Sequence, residues 1–315
     1  MRLSSLSSET RRRVGLGGQV RTRSTTFLSA MLLALLILLA SSVEPVYSAE
    51  HYLGTGIYGT GTAFNASVRE KYSHRFCRIA EELEHQTRID IKCRSYSDQS
   101  KFLVDLVSDN ISIAYVSSFN YYLVHKQNSD IVPLVVVQEP DFYTDQPSVM
   151  YRGAIVTLKD SGIVNLIQLA GRNVGFTYPH SSSGFIYPYV FFGKFLQQSG
   201  VKITSQGDNA RTADALVNGE VDAIAIWMGS LSKPPLKDRV NVLGTYGGII
   251  SYLIVVNQKL LTEPQRKALQ ESFLGIHEKV KHYEGFDKLP DGLLKGSAQV
   301  YDQYCREFPK NCVLN

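Results

Sequence analysis

The sequence predicts an α/β protein of two lobes, each a mixed, mostly parallel sheet flanked by helices, joined by a two-strand hinge. Three observations predict it. Strand-like segments alternate with helix-like ones from residue 52 onward, the pattern of parallel sheets covered on both faces. Two similar apolar strands, 151–158 and 251–257, bracket a self-contained α/β block, which reads as a lobe inserted into another with the two strands as crossings. A basic, then apolar N-terminal segment stands apart from both, so the expected divisions are a leader at 1–48, the first lobe at 49–158, the inserted lobe at 159–245, and a return with C-terminal helices at 246–315.

The leader is read first. Residues 27–40 are apolar, uncharged and short for a bilayer span, and Arg11, Arg12, Arg13, Arg21 and Arg23 precede them. This is a signal peptide, with Val46-Tyr47-Ser48 before Ala49 as the cleavage site; an uncleaved anchor is the alternative. The periplasm is therefore the expected compartment. No Cys closely follows the apolar run, so lipid attachment is not expected. The leader's six Arg against Glu9 and Glu44 account for the whole formal charge of +4, leaving the remainder neutral. Without a basic stripe, a nucleic-acid partner is not expected.

About 265 residues remain, enough for two lobes with a sizeable core. Residues 52–57 read as a first strand and 69–85 as a helix, with Tyr72, Phe76, Ile79, Ala80 and Leu83 at helical spacing. Residues 88–94 alternate as a strand, 99–107 are helical, and 111–116 form a short strand that a Ser117-Ser118 turn leads into another helix. Residues 132–137 are a buried strand. In the inserted block, 172–176 form a strand and 189–196 lie on a helix. Asn218-Gly219 ends a further helix, with Gly as its cap. Thr262-Glu263-Pro264 opens a helix running to Lys279.

Four cysteines fit an exported chain. Cys77 and Cys93 flank a helix-to-strand passage and Cys305 and Cys312 bracket a short C-terminal segment, so two local disulfides are the economical pairing among three connectivities. A zinc site of His74, Cys77, His85 and Cys93 matches no standard spacing, and no metal or cofactor is expected.

The run Pro179-His180-Ser181-Ser182-Ser183-Gly184-Phe185 follows a strand and opens a helix. The first amides of a helix lack internal partners and carry the positive end of its dipole, so such a turn seats an oxyanion. Equally, Ser181 to Ser183 read as an N-cap and polar loop. The surrounding words, Asp160-Ser161-Gly162-Ile163, Leu169-Ala170-Gly171-Arg172-Asn173-Val174-Gly175-Phe176 and Ser-Ser-Ser-Gly-Phe, resemble the phosphate/phosphite/phosphonate-binding proteins of ABC transporters. That resemblance runs from about 52 to 304 and implies the type II periplasmic-binding-protein fold, with an anion held between the lobes.

From it, Ser181, Ser182, Ser183 and Gly184 are the expected ligand-binding turn, with amides at Ser183 and Gly184 as donors. Tyr121 carries over from a Gly-Pro-x-x-Tyr turn in which Ser117-Ser118 replaces Gly-Pro, and Tyr58 contributes from the same lobe. Where the family has Ser-His-Asp, this chain has Asp208-Asn209-Ala210-Arg211. Asn209 is then a neutral donor, and Arg211 either clamps the oxyanion or is a solvated surface residue.

The expected function is capture of a small oxyanion without turnover by a monomer that a permease or a sensor kinase recognises. Gly54-Thr55-Gly56 also resembles dicarboxylate receptors of TRAP transporters, the alternative family. Residues 54–59 spell a dinucleotide fingerprint, but after a short strand in a compartment without a nicotinamide pool. A serine hydrolase is disfavoured because His180 stands where a nucleophile elbow needs Gly, and Ser230-x-x-Lys233 lacks companion motifs.

Overall fold

The computed structural model describes residues 51–56, 66–276 and 285–314; the leader and Tyr58 lie outside the described residues. Among the described residues the strands form two mixed sheets. The first holds β1 (His51–Gly56), β2 (Ile91–Tyr96), β3 (Ile113–Val116), β4 (Ile131–Pro140), β11 (Leu253–Asn257) and β12 (Gly285–Asp287) in the order β12-β4-β11-β3-β1-β2, with the two-residue β5 (Pro147–Ser148) on β4. β1 pairs β2 and β3 in parallel, whereas β11 runs antiparallel to both β3 and β4. Helices α1 (Ala66–Thr87), α2 (Gln99–Val107) and α3 (Ser118–Gln127) connect these strands, and α6 (Glu263–Leu274) follows β11.

The second sheet has the order β10-β6-β9-β7-β8, built from β6 (Met150–Leu158), β7 (Asn173–Phe176), β8 (Lys202–Ser205), β9 (Ala223–Trp227) and β10 (Val240–Ile250). β7 is parallel to β8 and β9, while β6 is antiparallel to β9 and β10. α4 (Tyr187–Gln198) and α5 (Asn209–Val217) lie between its strands in the chain, and α7 (Leu293–Glu307) closes the fold.

Several expected boundaries move for local reasons. The strand expected at 88 begins at Ile91, because Arg88 takes a left-handed backbone (φ 59°) and bonds back to Glu84 as a helix end. The helix expected to reach Lys279 ends at Leu274, with the Gly275 amide capping it; residues 277–284 are outside the described residues. Residues 151–158 are a strand of the second sheet rather than a crossing, since they pair along β9 and β10. The chain passes between sheets at 141–149 and at Ser251-Tyr252. These passages lie side by side: the Ser251 amide donates to Val149 O at 3.0 Å and the Val137 amide to Tyr252 O at 2.8 Å.

Each sheet buries apolar side chains on both faces, as parallel sheets require. Leu53, Phe76, Leu83, Val135 and Phe273 form one cluster, and Phe102, Leu106, Val136 and Leu253 another. In the second sheet, Ala154, Ile224 and Leu216 pack on one side. On the other, Ile155, Val174, Phe176 and Leu196 join Phe119 and Leu123 of α3 and Tyr301 and Tyr304 of α7. The C-terminal helix is thus shared packing for elements of both sheets. Both expected disulfides are present, Cys77–Cys93 and Cys305–Cys312, with Cα separations of 5.0 and 5.7 Å.

Candidate functional site

Helix starts gather at the carboxyl ends of the parallel strands. In the first sheet, Asp98 caps α2 and Ser117 caps α3, and Gln99 Nε2 donates to Asn120 Oδ1 at 3.1 Å, tying the two starts together. In the second, β7 runs into Thr177-Tyr178-Pro179-His180-Ser181, then a π-turn at Ser182–Ile186 that leads into α4. Beside it, Gln206 N donates to Phe176 O at 2.7 Å, Ser205 Oγ donates to Thr177 O at 2.8 Å, and Asp208 caps α5.

Each serine of the turn has its own task. Ser181 Oγ accepts from the Gly184 amide at 3.1 Å, so it is the cap, and the Gly184 amide expected to meet a ligand is already satisfied. The amides of Ser182 and Ser183 are left, because the first positions of a helix have no internal acceptor. Ser182 and Ser183 are 4% and 5% exposed. Gly184 is required by space, since a Cβ there would fall on the Thr177 hydroxyl.

The Ser182 hydroxyl faces inward to the Tyr301 hydroxyl (3.3 Å), which reaches Ser118 Oγ at 2.6 Å. Ser118 donates to the Ile250 carbonyl at 3.1 Å, which assigns the protons along the row: Tyr301 donates to Ser118 and Ser182 donates to Tyr301. This row joins α3, α4's entry turn and α7 around a phenol that is 1% exposed, and burial pushes the Tyr301 phenol far above its ordinary value.

Ser183 looks the other way. Its carbonyl accepts from Tyr246 Oη at 2.5 Å, and its hydroxyl neighbours the Tyr151 phenol, where it favours the ionised form against burial. Burial raises Tyr151 well above the ordinary tyrosine value, with the neighbouring Glu139 carboxylate pushing the same way. Burial also lifts Tyr178 to about 12, with Asp208 reinforcing it. Glu139 stands at the end of β4, where Ser251 Oγ donates to Oε1 at 3.0 Å across the two passages. Burial raises its pKa, against the opposing effects of Ser251 and of Lys233.

Of the residues expected from the sequence, the turn Ser181 to Gly184 and the start of α5 are brought to the carboxyl ends of the neighbouring strands β7 and β8. Asn209 occupies the first position of α5, and its Oδ1 is buried without a hydrogen-bond partner. Tyr121 is not brought there: it packs with Tyr96, Phe102 and Leu106 in the first sheet's core, its ring stacked 5.2 Å from His125. Arg211 turns to Glu220 in an ion pair at the helix surface, which is its solvated reading rather than a clamp.

Glu139, Tyr151, Tyr178, Ser251 and Tyr301 were not singled out from sequence. For Tyr178 a signal existed, a Tyr-Pro directly after a strand end; Tyr301 has none beyond helical spacing. A hollow of about 350 Å³ beside the turn is lined by Phe185, Tyr189, Gln197, Val201, Ile203 and Phe308, and its two polar groups are joined to each other, Gln197 Nε2 donating to Tyr189 Oη at 3.0 Å.

Known proteins share this arrangement of strands. A Xanthomonas citri protein bound to ATP superposes with a TM-score of 0.65 at 12% identity, covering 82% of this chain and 99% of that one. PhnD1 from Prochlorococcus marinus, in complex with methylphosphonate, gives 0.61 at 16% identity over 82% and 98%. A binding protein component of an ABC phosphonate transporter from Pseudomonas aeruginosa gives 0.58 at 17% over 84% and 89%. These likenesses establish the type II periplasmic-binding-protein fold. No curated protein sequence matches the chain. The profile of one family, the periplasmic substrate-binding proteins of phosphonate ABC transporters, matches residues 66–294, and the chain belongs to that family.

Proposed function

We propose that this periplasmic binding protein captures a small oxyanion of the phosphate, phosphite or phosphonate class at the Ser182–Ser183 turn and hands it unaltered to an ABC permease. The observation that carries the reading is the pair of buried serines whose amides open a helix at the carboxyl edge of β7. Asn209, at the neighbouring helix start, supports it through its NH2 group, the donor end of a side chain with no hydrogen bond to the protein, whereas its buried Oδ1 is an acceptor that would face a protonated oxygen or water. Neutral donors preorganised in a water-poor site bind an anion more strongly than they would in water. Ser183 and Tyr151 direct the ligand, while Ser181 and Ser182 hold the turn through the cap and Tyr301.

Thermal shift against phosphate, phosphite, methylphosphonate, sulfonates and dicarboxylates tests this. A ligand at 100 times its Kd adds about 2.7 kcal/mol of stability. Phosphorus oxyanions should give that shift, and Ser183→Ala should lower their affinity about tenfold, the loss of one charge-assisted hydrogen bond. A shift from dicarboxylates alone would favour a TRAP-type receptor instead. Normal binding by Ser183→Ala would remove the turn from the site.

A further inference from the structure

We infer that Trp227 is a specificity-determining residue, the wall on which a planar substituent of the ligand stacks, so that the preferred ligand is a phosphorus oxyanion bearing an aromatic or heteroaromatic group. The inference rests on the oxyanion reading above and names the ligand class. Trp227, the chain's single tryptophan, is the last residue of β9, which runs parallel to β7 with Val174 opposite Ala223 and Gly175 opposite Ile224. Continuing that register sets Trp227 level with Tyr178, in the passage from β7 to the Ser turn, one strand spacing of about 4.8 Å away. Alternation puts its side chain on the turn's side of the sheet: Ala223 and Ala225 pack with Phe185 and Ile186, whereas Ile224 and Ile226 face the opposite cluster. A chain of contacts joins the two as well. Trp227 pairs with Gly153 across the sheet, the Tyr246 ring lies where a Gly153 Cβ would be, and Tyr246 Oη donates to Ser183 O at 2.5 Å.

The indole is held in place and yet left open. Its six-membered ring lies over Gly229, where an added Cβ would come within 2.2 Å of it, and Lys233 Nζ stands 5.2 Å from the ring centre. The residue is only half-buried, and among the described residues no other aromatic ring packs on it and its N–H meets no acceptor. A tryptophan that serves a core ordinarily satisfies that N–H. Trp227 does not, and it stands at the carboxyl edge of a sheet, where open α/β folds receive their ligands. An aromatic face takes another planar group in offset or edge-to-face contact, and the gain exceeds that of the area covered. Bare phosphate or phosphite would leave the indole wet and draw nothing from it. Lys233 brings a positive charge to the same rim, which suits an anionic ligand and steadies the ring through a cation–π contact.

The test is titration calorimetry of the full mature chain with methylphosphonate, cyclohexylphosphonate and phenylphosphonate, which share a head group and differ in the substituent. Phenylphosphonate should bind at least about tenfold more tightly than methylphosphonate, and about threefold more tightly than its saturated counterpart, the share that belongs to ring stacking. Trp227→Leu should weaken phenylphosphonate about tenfold and cost methylphosphonate far less, so that the preference collapses. Trp227→Phe, which keeps a ring, should retain most of it, and a melting curve for each variant separates binding from folding. Because the chain has one tryptophan, its emission reads the contact itself: 4-nitrophenylphosphonate should quench it along the same curve that calorimetry gives for binding. Equal affinities for the methyl and phenyl compounds, or binding of the nitrophenyl compound without quenching, overturn the inference and leave the oxyanion seat standing. Equal weakening of all ligands by Trp227→Leu also overturns it and makes the indole a clamp for the Lys233 segment. Failure of every phosphonate to bind a folded protein overturns the oxyanion seat, and this inference with it.

Discussion

At the residue scale, Glu139 shows what burial of a carboxylate does to stability. Its folded pKa lies above the ordinary 4.5 because burial penalises the charged form. Such a group contributes fully to stability below 4.5, and the contribution is lost as pH rises through its folded value. Above its folded value the charged carboxylate is therefore a cost to the fold. Glu139→Gln should raise Tm at pH 7, and the gain should shrink toward zero as the pH is lowered below 4.5; calorimetry across that range reads it. A variant that is less stable at pH 7 would mean the carboxylate is better paired than its single Ser251 bond indicates. Glu139 and Ser251 come from distant stretches of chain, which is why their meeting was not legible from sequence, whereas the Ser181 to Ser183 turn is contiguous and was.

At the element scale, the C-terminal helix α7 and the loop after it hold the Ser181–Gly184 turn. Tyr304 Oη donates to Pro179 O at 2.8 Å, Asn311 Nδ2 donates to Tyr304 Oη at 2.8 Å, and the His180 imidazole meets the Asn311 backbone. Phe308 packs against Phe185 and Tyr189 with ring centres 6.0 and 4.6 Å away. The Cys305–Cys312 disulfide closes this loop. For so short a loop the chain-entropy account gives about 2.5 kcal/mol, which in a protein of this size corresponds to a Tm shift of about 5–10 °C. A Cys305→Ser/Cys312→Ser double variant should melt lower by that amount and bind phosphonate more weakly, because the turn loses its support. A melting point within a degree or two of the original would show that aromatic packing alone suffices. The local pairing of the cysteines was readable from their spacing. That the loop they close lies under the Ser turn was not, because contacts between residues 179 and 304 leave no local pattern.

For the whole molecule, two sheets share a pair of adjacent passages, with Ser118, Tyr301 and Ser182 in one hydrogen-bonded row bridging α3 and the entry to α4. A ligand that engages elements of both sheets should draw the two together by hinge closure. Small-angle scattering at saturating phosphonate should show a smaller radius of gyration than without it. An unchanged radius would mean that the Tyr301 row already fixes the sheets in their bound relation.

The sequence by itself determined the α/β class, the alternation of elements and the family, and made the local disulfide pairing the economical one of three, since each rests on short-range periodicity, spacing or contiguous words. It also marked the Ser181–Gly184 turn. Tertiary structure decided which serine caps, which faces Tyr301 and which faces Tyr151, and it turned Arg211 outward to Glu220 and Tyr121 into a core. It decided too that 151–158 is a strand of the second sheet and that 240–250 is its long antiparallel partner, carried through glycines and register shifts that break the alternating pattern. The physical reason is common to all of these: a side chain's partner is set by which strand edges and helix starts the topology brings side by side, and that juxtaposition is not written in any one stretch of chain.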